Sequence, residues 1–406
     1  MKKQIMALLA LAVAQVGLAQ EETSATLYGY VRGEFAFDSR QVVAAREGNY
    51  IDLASPVNKV NGKDLNANPN FNGWGVESRL GVKIAGPEFF GMKSEALIES
   101  HFFGSSDASI NTLALRHAYV KLSSDKVEWL VGQFWHPMFV TNVSPRTYNF
   151  NAGSPFQPFN RSPQIRFSTK GNARLTLAAI TERDFASVGG KANLSALPAF
   201  HAQLQFGNDD KFVGGFGANY KSLKSGLRGE YFGAFTFLAY AKAKLGQNSA
   251  WQIYADYGQN PSELLQLGGV AVDAKGKYKS NNTLALWTEF YGDFTPSFEW
   301  GIFGGYSKDF GFSKNTTPSA TKFGQMADII DPLTGKTIQY LAGTPISTWR
   351  VSPRVGWKSG NTKLTAELDY TSTTYGAWDT NLKTKKYAQD ATAGNFRVSL
   401  SLIQNF

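Results

Sequence analysis

Phe396-Arg397-Val398-Ser399-Leu400-Ser401-Leu402-Ile403-Gln404-Asn405-Phe406, the end of the chain, is the stretch whose reading decides the fold. Phe396, Val398, Leu400, Leu402 and Phe406 alternate with Arg397, Ser399, Ser401 and Asn405, and only Ile403 and Gln404 break the pattern. A period of two sends successive side chains to opposite faces, so this is a strand with one apolar and one polar face.

The same period recurs upstream. Leu27, Val31, Phe35 and Phe37 oppose Tyr28, Tyr30, Arg32 and Glu34; Leu80, Val82 and Ile84 oppose Arg79 and Lys83. Trp349, Val351, Val355 and Trp357 oppose Arg350, Ser352, Arg354 and Lys358; Leu364, Ala366, Leu368 and Tyr370 oppose Lys363, Thr365, Glu367 and Asp369. By this criterion about sixteen strands are expected, near 26–37, 76–85, 92–102, 111–122, 126–135, 163–169, 173–181, 198–206, 211–221, 229–244, 250–258, 282–291, 297–307, 346–358, 362–371 and 395–406. Residues 211–244 are so rich in Gly and Phe that their parity is open to a one-residue slip.

Connections alternate between short and long. Gly86–Gly91, Ser123–Asp125, Lys170–Asn172, Gly207–Asp210, Gly246–Ser249, Gly292–Pro296 and Ser359–Asn361 are short. The stretches 38–75, 136–162, 259–281, 308–345 and 372–394 are long. Short turns at one end and long loops at the other describe an up-and-down transmembrane antiparallel β-barrel with short periplasmic turns and long extracellular loops. A soluble sandwich also uses alternating strands, but the even count, the loop alternation, the charged inner face and the final aromatic argue for closure. In lipid every backbone polar group needs a partner, and a closed barrel leaves no edge.

The start of the chain sets the compartment. Lys2 and Lys3 precede the apolar run Ile5–Leu18, which ends in the small-x-small pattern Gly17-Leu18-Ala19. Residues 1–19 therefore read as an export leader and 20–406 as the barrel. The run falls short of the roughly 20 apolar residues of a spanning helix. The 406-residue chain has no cysteine, which excludes disulfide frameworks and thiolate zinc sites. Its formal charge of +9 would suit nucleic acid, but export argues against that partner.

Three stretches carry a family resemblance. They are Phe37-Asp38-Ser39-Arg40-Gln41 through Ala45-Arg46-Glu47-Gly48; Leu115-Arg116-His117-Ala118-Tyr119-Val120-Lys121-Leu122; and Gly132-Gln133-Phe134-Trp135-His136-Pro137-Met138-Phe139-Val140 through Ser154-Pro155-Phe156-Gln157-Pro158-Phe159. Together they resemble the DcaP-type trimeric outer-membrane porins, particularly the Bacteroidota branch. The resemblance implies a sixteen-stranded barrel in the outer membrane of a Gram-negative bacterium, a homotrimer, and passive uptake of small, often anionic solutes without a cofactor. Phe406 resembles the terminal aromatic read by the outer-membrane assembly machinery. One departure is that only Gln20–Ala25 separate the leader from the first strand, so the family's N-terminal periplasmic helix is not carried over and trimerisation is expected to rest on barrel walls.

Porin selectivity comes from pore width and from charge at the narrowest point. In general porins the third long loop folds inward, which here is 136–162. From Trp129 to Thr181 there is no Asp or Glu, whereas Arg146, Arg161, Arg166, Lys170 and Arg174 are basic. Arg146, Arg161 and Arg166 are therefore the expected constriction, with anion preference. The five prolines of the stretch restrict its backbone, and Phe139, Tyr148, Phe150, Phe156 and Phe159 supply anchors for the wall. Parity adds Arg32, Glu34, Arg79, Arg350, Arg354 and Arg397 as pore-lining residues, with Glu77, Glu95, Glu99, Glu367 and Asp369 as potential wall partners; Arg116 reads in either parity.

Enzyme readings fit poorly: His101, His117, His136 and His201 form no i, i+4 pair, and no Gly-x-Ser-x-Gly elbow is present. An energy-coupled receptor of about 22 strands with a plug does not fit the length. The rival from another class is a surface adhesin or structural barrel built on the loops 38–75, 308–345 and 372–394.

Overall fold

The computed structural model describes residues 23–45, 47–104, 109–150, 153–189, 192–208, 211–273, 275, 277–312, 316–322, 329–330, 337–338, 344–378 and 387–406. The leader segment 1–19 lies outside them.

Sixteen strands close into one antiparallel sheet. They are β1 (Ser24–Asp38), β2 (Asn70–Trp74, resuming as Arg79–Phe89), β3 (Met92–His101), β4 (Ala114–Ser123), β5 (Val127–Trp135), β6 (Arg161–Thr169), β7 (Ala173–Ile180) and β8 (Ala199–Asn208). Then come β9 (Phe212–Lys224), β10 (Tyr231–Lys244), β11 (Ser249–Gln259), β12 (Asn282–Thr295), β13 (Phe298–Gly311), β14 (Thr344–Ser359), β15 (Thr362–Trp378) and β16 (Tyr387–Asn405). Every expected strand is present, and several run further than their alternation suggests. No helix among the described residues is long and apolar enough to cross a membrane; the strands make the crossing.

β1 closes the barrel. One edge pairs with β16, Phe35 opposite Leu400 and Tyr30 opposite Asn405. The other pairs with β2, Tyr30 opposite Arg79 and Glu34 opposite Trp74. Beyond the last paired residue, Phe406 N–H donates to the Gly29 carbonyl at 3.1 Å and Gly29 N–H donates back at 3.2 Å. The terminal residue is thus part of the seam.

The alternation resolves into an outer apolar belt and an inner polar wall. Leu27, Val31, Phe35, Trp349, Trp357, Leu364, Leu400, Leu402 and Phe406 are exposed on the outside, while Arg32, Glu34, Arg350, Arg354, Glu367 and Arg397 are buried inside. Lipid solvates the first set, which is why exposure there costs nothing.

The wall is uneven. Strands β3 to β8 have 8 to 10 residues, close to the roughly 9–11 that a tilted strand needs to cross. β12 and β13 have 14 each and β16 has 19. The inner face also differs from the expected charged one along β9–β13, where Val213, Leu238, Tyr240, Tyr254, Trp287 and Phe303 are apolar and buried. The reason is the loop after β5, which covers them.

Candidate functional site: the lumen and its inward loop

The loop 136–160 leaves β5 at Trp135 and returns at Arg161, so the return strand begins earlier than expected. Its first part turns into the barrel: Met138, Val140, Val143 and Phe156 pack on the apolar inner face of β9–β13. Each such side chain transfers roughly 1.5–3 kcal/mol on burial, which holds the loop to the wall. Phe156 lies on Gly305 of β13 and the Tyr148 hydroxyl approaches Gly356 of β14; a Cβ at either glycine would collide with the loop. A second cluster joins the loops over the lumen, with Tyr50, Phe103, Phe150, Phe159, Phe185 and Leu265 together. Phe103 and Phe150 meet edge to face at 4.2 Å, and Trp135 stacks on Phe139 at 4.1 Å.

Polar anchors fix the loop tip. The Arg146 N–H donates to the Glu289 carboxylate at 3.1 Å, the Tyr148 N–H donates to Glu367, and the Asn149 amide donates to Asp369. The Tyr148 hydroxyl donates to Glu299, and Arg32 Nη2 donates to the Tyr148 carbonyl at 2.5 Å. Arg350 Nη1 donates to the Ser154 carbonyl at 2.9 Å. These wall carboxylates therefore hold the loop tip, and Glu289 and Glu299 hold wall bases as well. At the base of the loop, burial holds the His136 imidazole well below its ordinary pKa, with His201 and nearby cations adding to the effect. Its neutral Nδ1 accepts from the Met138 N–H at 3.2 Å.

The expected constriction residues separate. Arg146 is exposed on the loop, its guanidinium 4.4 Å over the Tyr291 ring. Arg166, half-buried on β6, donates to the Gln164 amide oxygen at 2.8 Å and to the Trp135 carbonyl at 2.5 Å. Neither guanidinium has a carboxylate within ion-pair distance among the described residues. Arg161 differs: it is 2% exposed, pairs with Asp184 at 2.5 Å and lies beside the rings of Trp135 and Phe159. It clamps the loop's return to the loop after β7, where unpaired burial would be costly. Asp184 lies just beyond the acid-free stretch, so the sequence pattern did not contain Arg161's partner.

Parity places the strand residues inward, but most are sealed beneath loops instead of lining open space. Arg32 pairs with Glu34 at 2.9 Å and Glu77 at 2.6 Å; Arg354 pairs with Glu289 at 2.6 Å; Arg397 pairs with Asp38 at 2.6 Å. Arg350 donates Nε to Thr371 at 2.8 Å. Arg79, paired with Glu77 at 3.3 Å, keeps about a quarter of its side chain accessible. Arg116 faces inward, against Glu99 at 2.7 Å. Lys121–Glu95 at 2.6 Å and Arg174–Glu128 at 3.4 Å are further ion pairs of the short-stranded wall. A polar cavity of about 400 Å³ above this wall includes His101, Gln133, Arg161, Arg183 and Asp184 in its lining.

Because the loop occupies the β9–β13 side and its tip reaches β1 and β15, the remaining lumen lies between its outer edge and β2–β8. Arg146 stands on the loop beside Tyr291 of β12, and Arg166 stands half-buried on the inward face of β6. Lys358 and Lys363, both paired with Glu299, add positive charge on the loop side.

The class this architecture defines is the outer-membrane porin-fold barrel. The chain is similar to the outer-membrane channel DcaP of Acinetobacter baumannii, with a TM-score of 0.68 and 17% identity over 96% of this chain and 99% of that one. It is also similar to an anion-selective porin from Comamonas acidovorans, with a TM-score of 0.56 and 11% identity over 95% and 100%. The trimer form of OmpT from Vibrio cholerae gives 0.54 and 10% over 95% and 100%. At these identities the likeness is one of fold. No family model matches the chain, and no curated protein sequence matches it significantly.

Proposed function

We propose that the protein is an outer-membrane diffusion channel for small hydrophilic solutes that prefers anions such as carboxylates. One observation carries this reading: an acid-free inward loop is held by carboxylates through its backbone N–H groups, while Arg146 on its edge and Arg166 on the facing wall keep no carboxylate partner. Glu289 and Glu299 are balanced by Arg354, Lys358 and Lys363 while they hold the loop, and in this reading the two guanidinia without an ion-pair partner bias the lumen, where low-dielectric walls focus the field. Passage needs no cofactor and no catalytic group.

Reversal potentials of the purified protein in planar bilayers test the reading. Under a salt gradient the channel is expected to select anions, less so at 1 M salt, where the Debye length falls to about 3 Å from about 10 Å at 0.1 M. Arg146→Glu with Arg166→Glu is expected to abolish or invert the preference. A cation-selective wild type, or a double variant indistinguishable from it, would remove these arginines from the mechanism. A folded protein without conductance would favour the adhesin reading.

The same proposal includes a homotrimer built through the short-stranded wall, the part with least reach into lipid. Cross-linking in native membranes should trap trimers at β3–β8 positions and not at β12–β13 positions. DcaP-type membership, in the Bacteroidota branch, rests on the stretches 37–48, 115–122 and 132–159. Phe406 would serve as the assembly signal, and its deletion is expected to lower the yield of inserted protein without changing the selectivity of what inserts.

A further inference from the structure

The outer wall of β9–β13 carries a cleft that solute passage does not use. Along these five strands the outward positions are uncharged except Lys224 and Lys308. Both stand at the extracellular side: Lys224 ends β9, and Lys308 lies close to the end of β13 at Gly311. Each caps an outward aromatic ring, Lys224 Nζ 5.3 Å from the Tyr231 centroid and Lys308 Nζ 5.3 Å from that of Phe310. A lysine facing lipid is costly at the bilayer midplane and tolerated near the interface, so the two lysines mark headgroup depth.

Between them opens a cleft of about 650 Å³. Tyr231, Tyr257 and Phe310 line it from the strands, and Lys277, Tyr278 and Lys279 from the segment Tyr278–Ser280 and its approach. Tyr278 is held by stacking on Phe232, with centroids 5.5 Å apart and planes 17° from parallel. Lys277 and Lys279 are exposed. Glu230 is the single carboxylate among the described lining residues, and Gln259 and Asn282 contribute neutral amides. Below the cleft the outward positions are uncharged and mostly apolar, with Phe235 and Phe237 stacked in parallel on β10 and Ile302 exposed on β13.

We propose that this cleft seats the phosphorylated headgroup of an outer-leaflet glycolipid. The bases supply charge complementarity to phosphate, the amides and tyrosine hydroxyls meet a hydroxyl-rich headgroup, and the apolar face beneath receives the acyl chains. The two lysine ammonium groups sit over the aromatic rings at the depth of the polar layer. A free phosphate would use the cations and leave the apolar face idle, so the arrangement favours the lipid.

Binding of fluorescent bisphosphorylated lipid A to the purified protein in neutral detergent tests this, beside its enzymatically dephosphorylated form and inorganic phosphate as competitor. Wild type should bind the bisphosphorylated form at least tenfold more tightly than the dephosphorylated form, with no competition from millimolar phosphate. Lys224→Glu with Lys308→Glu should lose tenfold or more, and the Arg pair at the same positions should retain binding; heat-modifiable migration reports folding. If the glutamate pair does not insert, Tyr278→Ser with Lys279→Gln, outside the barrel wall, should show the same loss. Equal binding of the dephosphorylated lipid, competition by phosphate, or unchanged binding in every folded variant would overturn the proposal. Conductance is measured separately, so failure of the channel reading leaves this result standing.

Discussion

On the wall where the chain ends, Arg397 lies fully buried against Asp38, its Nη2 2.6 Å from the carboxylate, and donates further to the carbonyls of Gly48 and Asn49 at 2.6 and 3.0 Å. On β6, across the lumen, Arg166 has only neutral acceptors, Gln164 and the Trp135 carbonyl, and stays half-buried. The residue type is the same and the parity is the same, yet one arginine cements a loop to the wall and the other keeps no carboxylate partner. The difference lies in what covers each wall. Loops 39–69 and 136–160 fold over β1 and β13–β16 and require compensated charge there, whereas on the β2–β8 side, where Arg79, Arg116 and Arg174 are also paired, Arg166 stays half-buried on neutral acceptors alone.

The largest expected effect tests the cemented side. Arg397→Met leaves Asp38 buried without its partner and should cost about 3–5 kcal/mol, read as a lower temperature for loss of the folded band on a detergent gel. Adding Asp38→Asn should recover part of the loss, because no unpaired carboxylate then remains. A single variant that melts like wild type would break the contrast between the two walls.

Arg161 sits between the extremes and sharpens the contrast. It is as buried as Arg397, but its partner Asp184 keeps 16% of its side chain accessible. Arg161→Gln should cost about 1–3 kcal/mol through the lost charge-assisted hydrogen bond. It should also loosen the loop's return, giving noisier single-channel current with an unchanged reversal potential. A shift in reversal potential without added noise would move Arg161 into the selectivity mechanism.

The barrel was legible because lipid imposes one rule on every strand: outward residues are apolar, whatever lies inside. That rule makes β1, β14, β15 and β16 plain, since their inner faces are charged. It weakens at 231–244, where Phe235 and Phe237 face lipid while Leu238 and Tyr240 face the loop, so both parities are apolar. The double apolarity was itself a sign that the inner face is covered. Pairings were harder to read. Closure brings first and last strands together, and parity turns Asp38 and Arg397 inward, but their contact also depends on the register that sets them opposite each other. Arg161, at the start of β6, meets Asp184 of the loop after β7, and strand periodicity holds no information on where that loop folds.

The smallest structural effect belongs to Arg166 and should coincide with a clear functional one. Arg166→Gln removes two hydrogen bonds to neutral acceptors at a half-wet site, where Gln164 and water can satisfy one another, so stability should change by less than about 1 kcal/mol. If Arg166 sets selectivity as proposed, the reversal potential should meanwhile move toward zero at 0.1 M salt. At 1 M salt variant and wild type should converge, because a guanidinium screened within about 3 Å no longer biases an ion passing at lumen distance. Melting curves and reversal potentials on the same preparation check both halves of this expectation. A large loss of stability with no change in selectivity would show that Arg166, too, is cement, and that the two walls use arginine alike.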